Sequence, residues 1–269
     1  MIVRIAKSLI KAFRKNFNIG IISYANLIRL QKIEAEKELH FKSKLFLDLL
    51  TLLPIRHTEL LPSNRDKSNS DLFQDLFVLS ELEFKRNGFF VEFGASNGVT
   101  GSNTLLLEKE FAWRGILAEP ARNWHSELRK NRPMAFIEES CVFKDSNLLV
   151  EFTEIPKTGI STLTNFVNSD HHADLRKDGQ KSLVQTISLV DLLVKYNAPQ
   201  EIEYLSIDTE GSEYEILSSF DFSKYEIKVI TCEHNYSSSR EKLQGLLTSH
   251  GYIRRFQNIS YYDDWWVKA

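Results

Sequence analysis

The run FFVEFGASNGVTGSNTLLLE, residues 89–108, constrains the chain most, because it reads as a buried strand that breaks into a glycine-punctuated turn and then a helix. Phe89, Phe90, Val91 and Phe93 are the aromatic and β-branched residues of a short strand covered on both faces. Gly94 and Gly98 allow the turn and leave backbone bare where a ligand would approach, and Ser102, Asn103 or Thr104 can cap the helix that opens into Leu105, Leu106 and Leu107. The glycine spacing is GxxxG. A dinucleotide fingerprint needs a third glycine and a tighter first turn, and a phosphate loop needs a lysine that is absent here, so neither NAD nor ATP is the natural ligand. Glu92, inside the strand, disfavours a pyrophosphate and favours a ligand that carries hydroxyls or positive charge. S-adenosylmethionine has both.

From residue 88 onward strands alternate with helices, with strands expected at 89–93, 115–119, 135–138, 148–154, 183–187, 203–207, 228–233 and 252–256. Such alternation argues for an α/β fold, a mostly parallel sheet with helices on both faces. The stretch 148–187 departs from it, with a β-hairpin around Pro156 to Gly159 and a polar loop, NSDHHADLRKDG. Before residue 85 the pattern is helical: a basic helix at the start, a helix over 21–50 and a short one near 71–82. The polar, turn-rich segment from Pro62 to Asp71 reads as a linker or mobile loop. The expected division is a helical cap or assembly region, 1–84, and an α/β domain, 85–269.

A chain of 269 residues can bury one large α/β core and a smaller appendage. Its net charge of −2 supplies no global field to recruit nucleic acid, and no basic stripe follows the first helix. Cys141 and Cys232 stand far apart in apolar runs, as free buried thiols in a reducing compartment would, so the cytoplasm is expected. In the first helix Ile2, Ile5, Leu9, Ile10 and Phe13 share one face, and Arg4, Lys7, Lys11, Arg14 and Lys15 fill the other. Such a helix either lies on the anionic inner face of a membrane or packs on the domain or on a second subunit of a homo-oligomer. Its apolar residues are too interrupted to span a bilayer, and no cleavage site of small residues follows them.

In an open parallel sheet the ligand sits beyond the carboxyl ends of the strands, and those ends are acidic here. The strand GILAEP ends in Glu119 and Pro120, where a carboxylate can accept both ribose hydroxyls of an adenosine. The third strand ends near Glu139, Ser140 and Cys141, which can flank the adenine. In YLSIDTEGSEYEIL, Tyr204, Leu205 and Ile207 form a buried strand, Asp208 and Glu210 follow it, and Gly211 turns the chain into a helix carrying Glu213. The strand IKVITCEHNY ends in Glu233, His234 and Asn235. Neighbouring strands bring Asp208 and Glu233 together, so Asp208, Glu233 and His234 offer a ligand set for Mg2+ or Mn2+. Alternatively, the carboxylates cap the following helix and His234 is a structural rim histidine.

Taken together and in this order, VEFGASNGVTGSNTLLLE, ILAEP, YLSIDTEGSEYEIL and VITCEHN resemble the FkbM family of S-adenosylmethionine-dependent methyltransferases over residues 87–257. The helical region up to residue 84 and the tail YYDDWWVKA lie outside the resemblance. It implies a Rossmann-like class I methyltransferase fold whose last strand inserts antiparallel, and methyl transfer to an oxygen, often a hydroxyl of a sugar, glycan or secondary metabolite. By position, Glu92, Gly94, Gly98 and Glu119 match the family's cofactor motif, and Asp208, Glu210, Gly211 and Glu213 its second motif. The candidate cofactor contacts are thus Glu92, Gly94, Ala95, Ser96, Gly98 and Asn103, then Glu119, Pro120 and Ser140.

Methyl transfer is an in-line displacement, and a sugar hydroxyl needs help in losing its proton. Asp208, Glu210 and His234 are the catalytic candidates, with His234 or Glu210 as base or a metal at Asp208, Glu233 and His234. The loop with His171, His172, Asp174, Arg176 and Lys177 is either a lid or an exposed polar loop. Tyr261, Tyr262, Trp265 and Trp266 either stack on sugar or pack as a chain terminus or subunit contact. The expected partner is a small molecule or glycan, not nucleic acid. A noncatalytic binding or assembly module of the same fold is the alternative.

Overall fold

The computed structural model describes residues 24–156 and 158–269, and the basic helix expected at the start of the chain lies outside them. The chain divides into two compact units, one ending at Leu47 and one spanning Asp48–Ala269. The helix α1 (Tyr24–Leu52) begins in the first and runs into the second. The second unit therefore takes in residues 48–84, which the sequence pattern grouped with the helical region.

That unit opens with the short helices α2 (Ile55–Thr58), α3 (Pro62–Arg65) and α4 (Gln74–Glu81). The segment expected as a linker is in fact packed. Pro62 starts α3, where its missing N–H costs nothing, Leu61 and Ser70 are fully buried, and the Ser68 hydroxyl donates to Asp75 at 2.7 Å. Its turn-forming composition reports backbone shape, not mobility.

The α/β part then runs β1 (Phe89–Phe93), α5 (Leu105–Phe111), β2 (Arg114–Ala118), α6 (His125–Asn131), β3 (Phe136–Glu138), β4 (Cys141–Phe143), β5 (Leu149–Glu154) and β6 (Thr162–Leu163). It continues through β7 (Gln180–Ser188), α7 (Leu189–Lys195), β8 (Glu201–Ile207), α8 (Glu213–Ser218), β9 (Glu226–Glu233), α9 (Arg240–Ser249), β10 (Tyr252–Arg255) and β11 (Asp263–Lys268). Seven strands form the main sheet in the order β10-β11-β9-β8-β1-β2-β3. β1 lies parallel to β2 and β8, and β8 parallel to β9, so the carboxyl ends of β1, β2, β8 and β9 share one edge of the sheet. β11 is antiparallel to both neighbours, and its first residue, Asp263, pairs with Glu233, the last of β9. The sheet thus presents the carboxyl ends of its six parallel strands and the start of β11 on the same side.

The tail expected to stack on sugar or pack is this inserted strand. Trp265 and Trp266 are 0% and 1% exposed and point to opposite faces, as successive strand residues must. Trp265 stacks on Phe77 of α4 with ring centroids 4.7 Å apart, while Trp266 joins the core cluster of Leu205, Ile216, Ile230 and Leu247. Both rings are core and neither is offered to a ligand. The strand expected at 252–256 is β10, the edge strand beyond it.

A second sheet, β4-β7-β5-β6, covers the carboxyl side of β2 and β3 in sequence, and its β5–β6 pair is the hairpin expected around Pro156 to Gly159. β7 is antiparallel to β5 and parallel to β4. The two-residue β6 and the three-residue β4 are too short to show a period in sequence. Among the described residues no helix is long and apolar enough to cross a membrane.

Candidate active site

At the end of β1 the chain turns sharply, and the N–H groups of Gly94 and Ala95 both donate to the Ala118 carbonyl of β2, at 3.0 and 3.2 Å. Gly94 has φ +72°, and a Cβ there would fall inside the carbonyl oxygen of Asp208 at the end of β8. Gly98 has φ +74°, and a Cβ would sit 2.6 Å from Arg132 Cγ and 2.7 Å from Leu128 Cδ1. Both glycines make room for neighbouring protein; Gly94 also lines the cleft, whereas Gly98 does not. A GxxxG spacing alone could not distinguish a close ligand from a close side chain.

Glu92 is buried beneath this turn. It accepts from the Asn103 N–H at 2.9 Å, from the Ser102 hydroxyl at 3.1 Å and from the Thr104 hydroxyl. The fully buried Arg132 lies 3.9 Å from it and pairs with Glu108 at 2.9 Å. Its carboxylate is therefore the fastener of the loop 94–104 and also forms part of the cleft wall.

Glu119, just past β2, accepts one backbone N–H on each oxygen, from Ser96 at 2.8 Å and from Ala121 at 2.7 Å. Burial pushes its pKa up to about 7. Each oxygen keeps a second lone pair. Around it Gly94, Ser96, Pro120, Trp124, Cys141, Val142, Phe152 and Leu163 enclose a largely apolar slot. Ser140, expected to flank it, does not: its N–H turns back to Glu138 at 2.9 Å, and the lining residues are the next two, Cys141 and Val142 on β4. The slot opens past Ala95, Ser96, Asn103 and Ser206. Asn103 donates to the Ser206 hydroxyl at 3.0 Å.

Asp208 lines both these regions and a third, a chamber walled by Asp71, Gln74, Glu210, Glu233, Asn235, Tyr262 and Asp263, with His171 and His172 above it. Oxygens of Asp208, Glu210 and Glu233 all lie within 4.8 Å of one another. Asn235 Nδ2 donates to Glu210 at 3.1 Å and to Glu233 at 2.7 Å, and the buried Arg176 donates to Glu210 at 2.6 Å and to Asp170 at 2.9 Å. Glu210 holds φ +60° and Gly211 φ +125°, a turn secured by Glu213, which accepts the N–H groups of Thr209 and Gly211 at 3.1 and 2.9 Å. Glu213 thus shapes the loop and stays out of the chamber.

Burial first, and then mutual repulsion, keeps these acids protonated far above the carboxylate range. The Asp208 pKa rises to about 7 and that of Glu210 to about 9, Glu233 is pushed well up, and burial, with repulsion from Asp208 and Asp264, lifts Asp263 to about 8.

His234 is not part of this group. Its Nδ1 accepts from the Tyr236 N–H at 2.9 Å, its Nε2 lies 3.8 Å from Asp264 Oδ1, and burial lowers its pKa to about 4. Adjacent residues at a strand end point to opposite sides, so Glu233 faces the chamber and His234 faces away from it. The expected ligand set of Asp208, Glu233 and His234 becomes Asp208, Glu210 and Glu233, and the neutral, turned-away imidazole is not placed to act as base. The two lid histidines differ from expectation in the other direction. Residues 171–178 form turns rather than an extended chain, which leaves both rings on one side with centroids 3.9 Å apart. Asp71, Gln74 and Asp263 were not picked out from sequence, whereas Asn235 was noted at its strand end and Tyr262 in the aromatic tail. Only Asp263 carried a signal, as the first polar residue of an apolar pair that proves to be a strand.

The glycine turn after β1, the acid-ended β2 and a sheet parallel except for the inserted β11 define a Rossmann-like class I methyltransferase fold. The model of the methyltransferase FkbM domain matches residues 92–262. The chain belongs to this family and is an S-adenosylmethionine-dependent methyltransferase. No protein of curated function matches it by sequence. Among solved structures it is similar to precorrin-6y C5,15-methyltransferase from Geobacter metallireducens, at 14% identity over 67% of this chain and 71% of that one, with a TM-score of 0.36. It is also similar to TrmK of M. capricolum bound to S-adenosylhomocysteine, at 13% identity over 72% and 66%, TM-score 0.36. A TehB-like methyltransferase from Corynebacterium glutamicum matches at 6% identity over 80% and 97%, TM-score 0.37. Likenesses this distant carry no argument about substrate.

Proposed function

We propose that the protein transfers the methyl group of S-adenosylmethionine to a hydroxyl oxygen of a sugar or other small metabolite. The observation that carries this reading is the position of Asp208, which borders both the slot beside Glu119 and the carboxylate chamber. In this reading the apolar slot of Trp124, Cys141, Val142, Phe152 and Leu163 takes the adenine, and Glu119 accepts the ribose hydroxyls on its remaining lone pairs. Gly94, Ala95, Ser96 and Asn103 border the rest of the cofactor, and the sulfonium lies toward Asp208, whose negative potential favours a cation.

The acceptor enters the chamber. Its oxygen attacks the methyl carbon in line with the departing sulfur, the O–C bond forms as the C–S bond breaks, and the hydroxyl proton leaves to the ionised form of Asp208, because Glu210, with its pKa raised to about 9, already carries a proton at neutral pH. A chamber walled by Asp71, Asp208, Glu210, Glu233 and Asp263 meets a phosphate with carboxyl groups instead of cations, so in this reading the acceptor is neutral or cationic and not a nucleic acid. The test is methyl incorporation from labelled S-adenosylmethionine across hydroxyl-bearing acceptors, against nucleic acid and carboxylic-acid controls. Exclusive labelling of RNA or DNA, or no detectable cofactor binding at millimolar concentration, would refute the reading.

A further inference from the structure

Of the acids that wall the chamber, Glu210 receives the guanidinium of Arg176 at 2.6 Å. That guanidinium is already shared with Asp170, at 2.9 Å. Asn235 supplies a neutral bridge between Glu210 and Glu233 but no charge. Two oxygens remain without any hydrogen bond. Asp208 Oδ1 is one; the other is Oδ1 of Asp263, a residue only 3% exposed and aimed into the same space from β11, whose second oxygen is taken by Gln74 at 3.0 Å. A buried carboxylate oxygen with no donor is costly, and natural proteins satisfy such atoms with a proton, a water or a cation.

The donor set decides which. Asp208, Glu210 and Glu233 bring their oxygens within 4.8 Å of one another, a spacing at which one ion can touch all three. All of the donors are hard oxygens. The imidazole of His234 faces elsewhere, and the thiol of Cys232 is not among the lining residues. An all-carboxylate set suits Mg2+, Mn2+ or Ca2+ and not zinc or copper. The backbone is also committed to this arrangement, because Glu210 is held at positive φ, a conformation unfavourable for a side-chain-bearing residue, by the Glu213 cap behind it.

We propose that Asp208, Glu210 and Glu233 form a divalent-cation site at the acceptor end of the cleft, with Asp263 on the wall of the same chamber. The site rests on the reading of this chamber as the acceptor side of a methyl-transfer cleft. When bound there, such an ion makes a coordinated hydroxyl more acidic and holds it at a fixed position. Asn235 bridges Glu210 and Glu233, and Arg176 donates to the same Glu210 oxygen, Oε2, so that Oε1 is the oxygen presented to the ion.

The experiment is titration of the full chain with Mn2+ alone, followed by electron paramagnetic resonance of the free ion, with and without S-adenosylmethionine and with Mg2+ as competitor. One Mn2+ per chain is expected, displaced by Mg2+. Glu233→Gln and Asp208→Asn should each weaken Mn2+ by about tenfold or more, while His234→Gln leaves it within about twofold. The amide variants are isosteric and remove charge repulsion, so they fold, and an unchanged circular dichroism spectrum verifies this. Absence of stoichiometric Mn2+, or Mn2+ binding unmoved by both amide variants, overturns the proposal. Cofactor binding measured on the same samples separates the two ideas. Retained S-adenosylmethionine without Mn2+ removes the cation site alone, whereas Mn2+ binding without S-adenosylmethionine removes the methyl-transfer reading of the cleft.

Discussion

Removal of the Glu119 carboxylate is the sharpest perturbation of the cofactor end. Glu119→Ala deletes two acceptors for ribose hydroxyls, and charge-assisted hydrogen bonds of this kind are worth about 1–3 kcal/mol together once exchange with water is counted. The dissociation constant for S-adenosylmethionine should therefore rise about 5- to 150-fold. The same change leaves the N–H groups of Ser96 and Ala121 without their 2.8 and 2.7 Å partners, so a stability loss of about 2–4 kcal/mol should accompany it. Glu119→Gln keeps one acceptor and separates the two effects. Titration also predicts a pH signature. Only the ionised carboxylate accepts both hydroxyls, and its pKa is raised to about 7, so affinity should be flat above pH 8 and weaken toward tenfold per unit as pH falls below 7. In Glu119→Gln that slope should vanish. Isothermal titration calorimetry between pH 5.5 and 8.5, with circular dichroism to confirm folding, reads both quantities. Unchanged affinity in a folded Glu119→Ala protein would refute the placement of the ribose beside β2.

Other consequences are quicker to check. Gly94→Ala places a methyl group inside the Asp208 carbonyl at a φ of +72°, so it should cost more than about 3 kcal/mol and give little soluble protein, whereas Gly101→Ala, with only Asp71 Oδ2 at 3.6 Å, should cost about 1 kcal/mol; chemical denaturation compares them. Trp265→Ala removes a fully buried ring stacked on Phe77 and should cost about 3–5 kcal/mol, read as a fall in the urea midpoint. His234→Gln should retain methyl transfer to within a few-fold and show the same pH–rate profile, since the ring turns to Asp264; loss of a pH-dependent limb would restore it as a base.

The parts legible in sequence are those set by local periodicity and chemistry. β1, its glycine turn, Glu119 at the end of β2 and the DTEGSE turn after β8 could all be read because each signal lies within a dozen neighbouring residues. Where a residue points at a strand end could not, since it depends on phase: a single step decides between His234 and Asn235, and between Ser140 and Cys141. β11 escaped because nothing local marks DDWWVK as a sheet interior; its partners, β9 and β10, are set by topology. The chamber inherits that blindness. Asp71 and Gln74 come from one segment and Asp263 from another, and only the folded chain brings the two together.

The insertion of β11 between β9 and β10 has a consequence for how the molecule comes into being. β9 leaves the ribosome before the strand that will cover its edge, and β10 cannot dock on β9 directly because its place in the sheet is one strand further out. Until the β10–β11 hairpin docks, β9 exposes a row of unpaired backbone groups that invites pairing with another chain. Asp263 travels on that hairpin. Docking of that hairpin closes the sheet edge and completes the wall of the acidic chamber together, so a molecule frayed at β11 lacks the Asp263 carboxyl there.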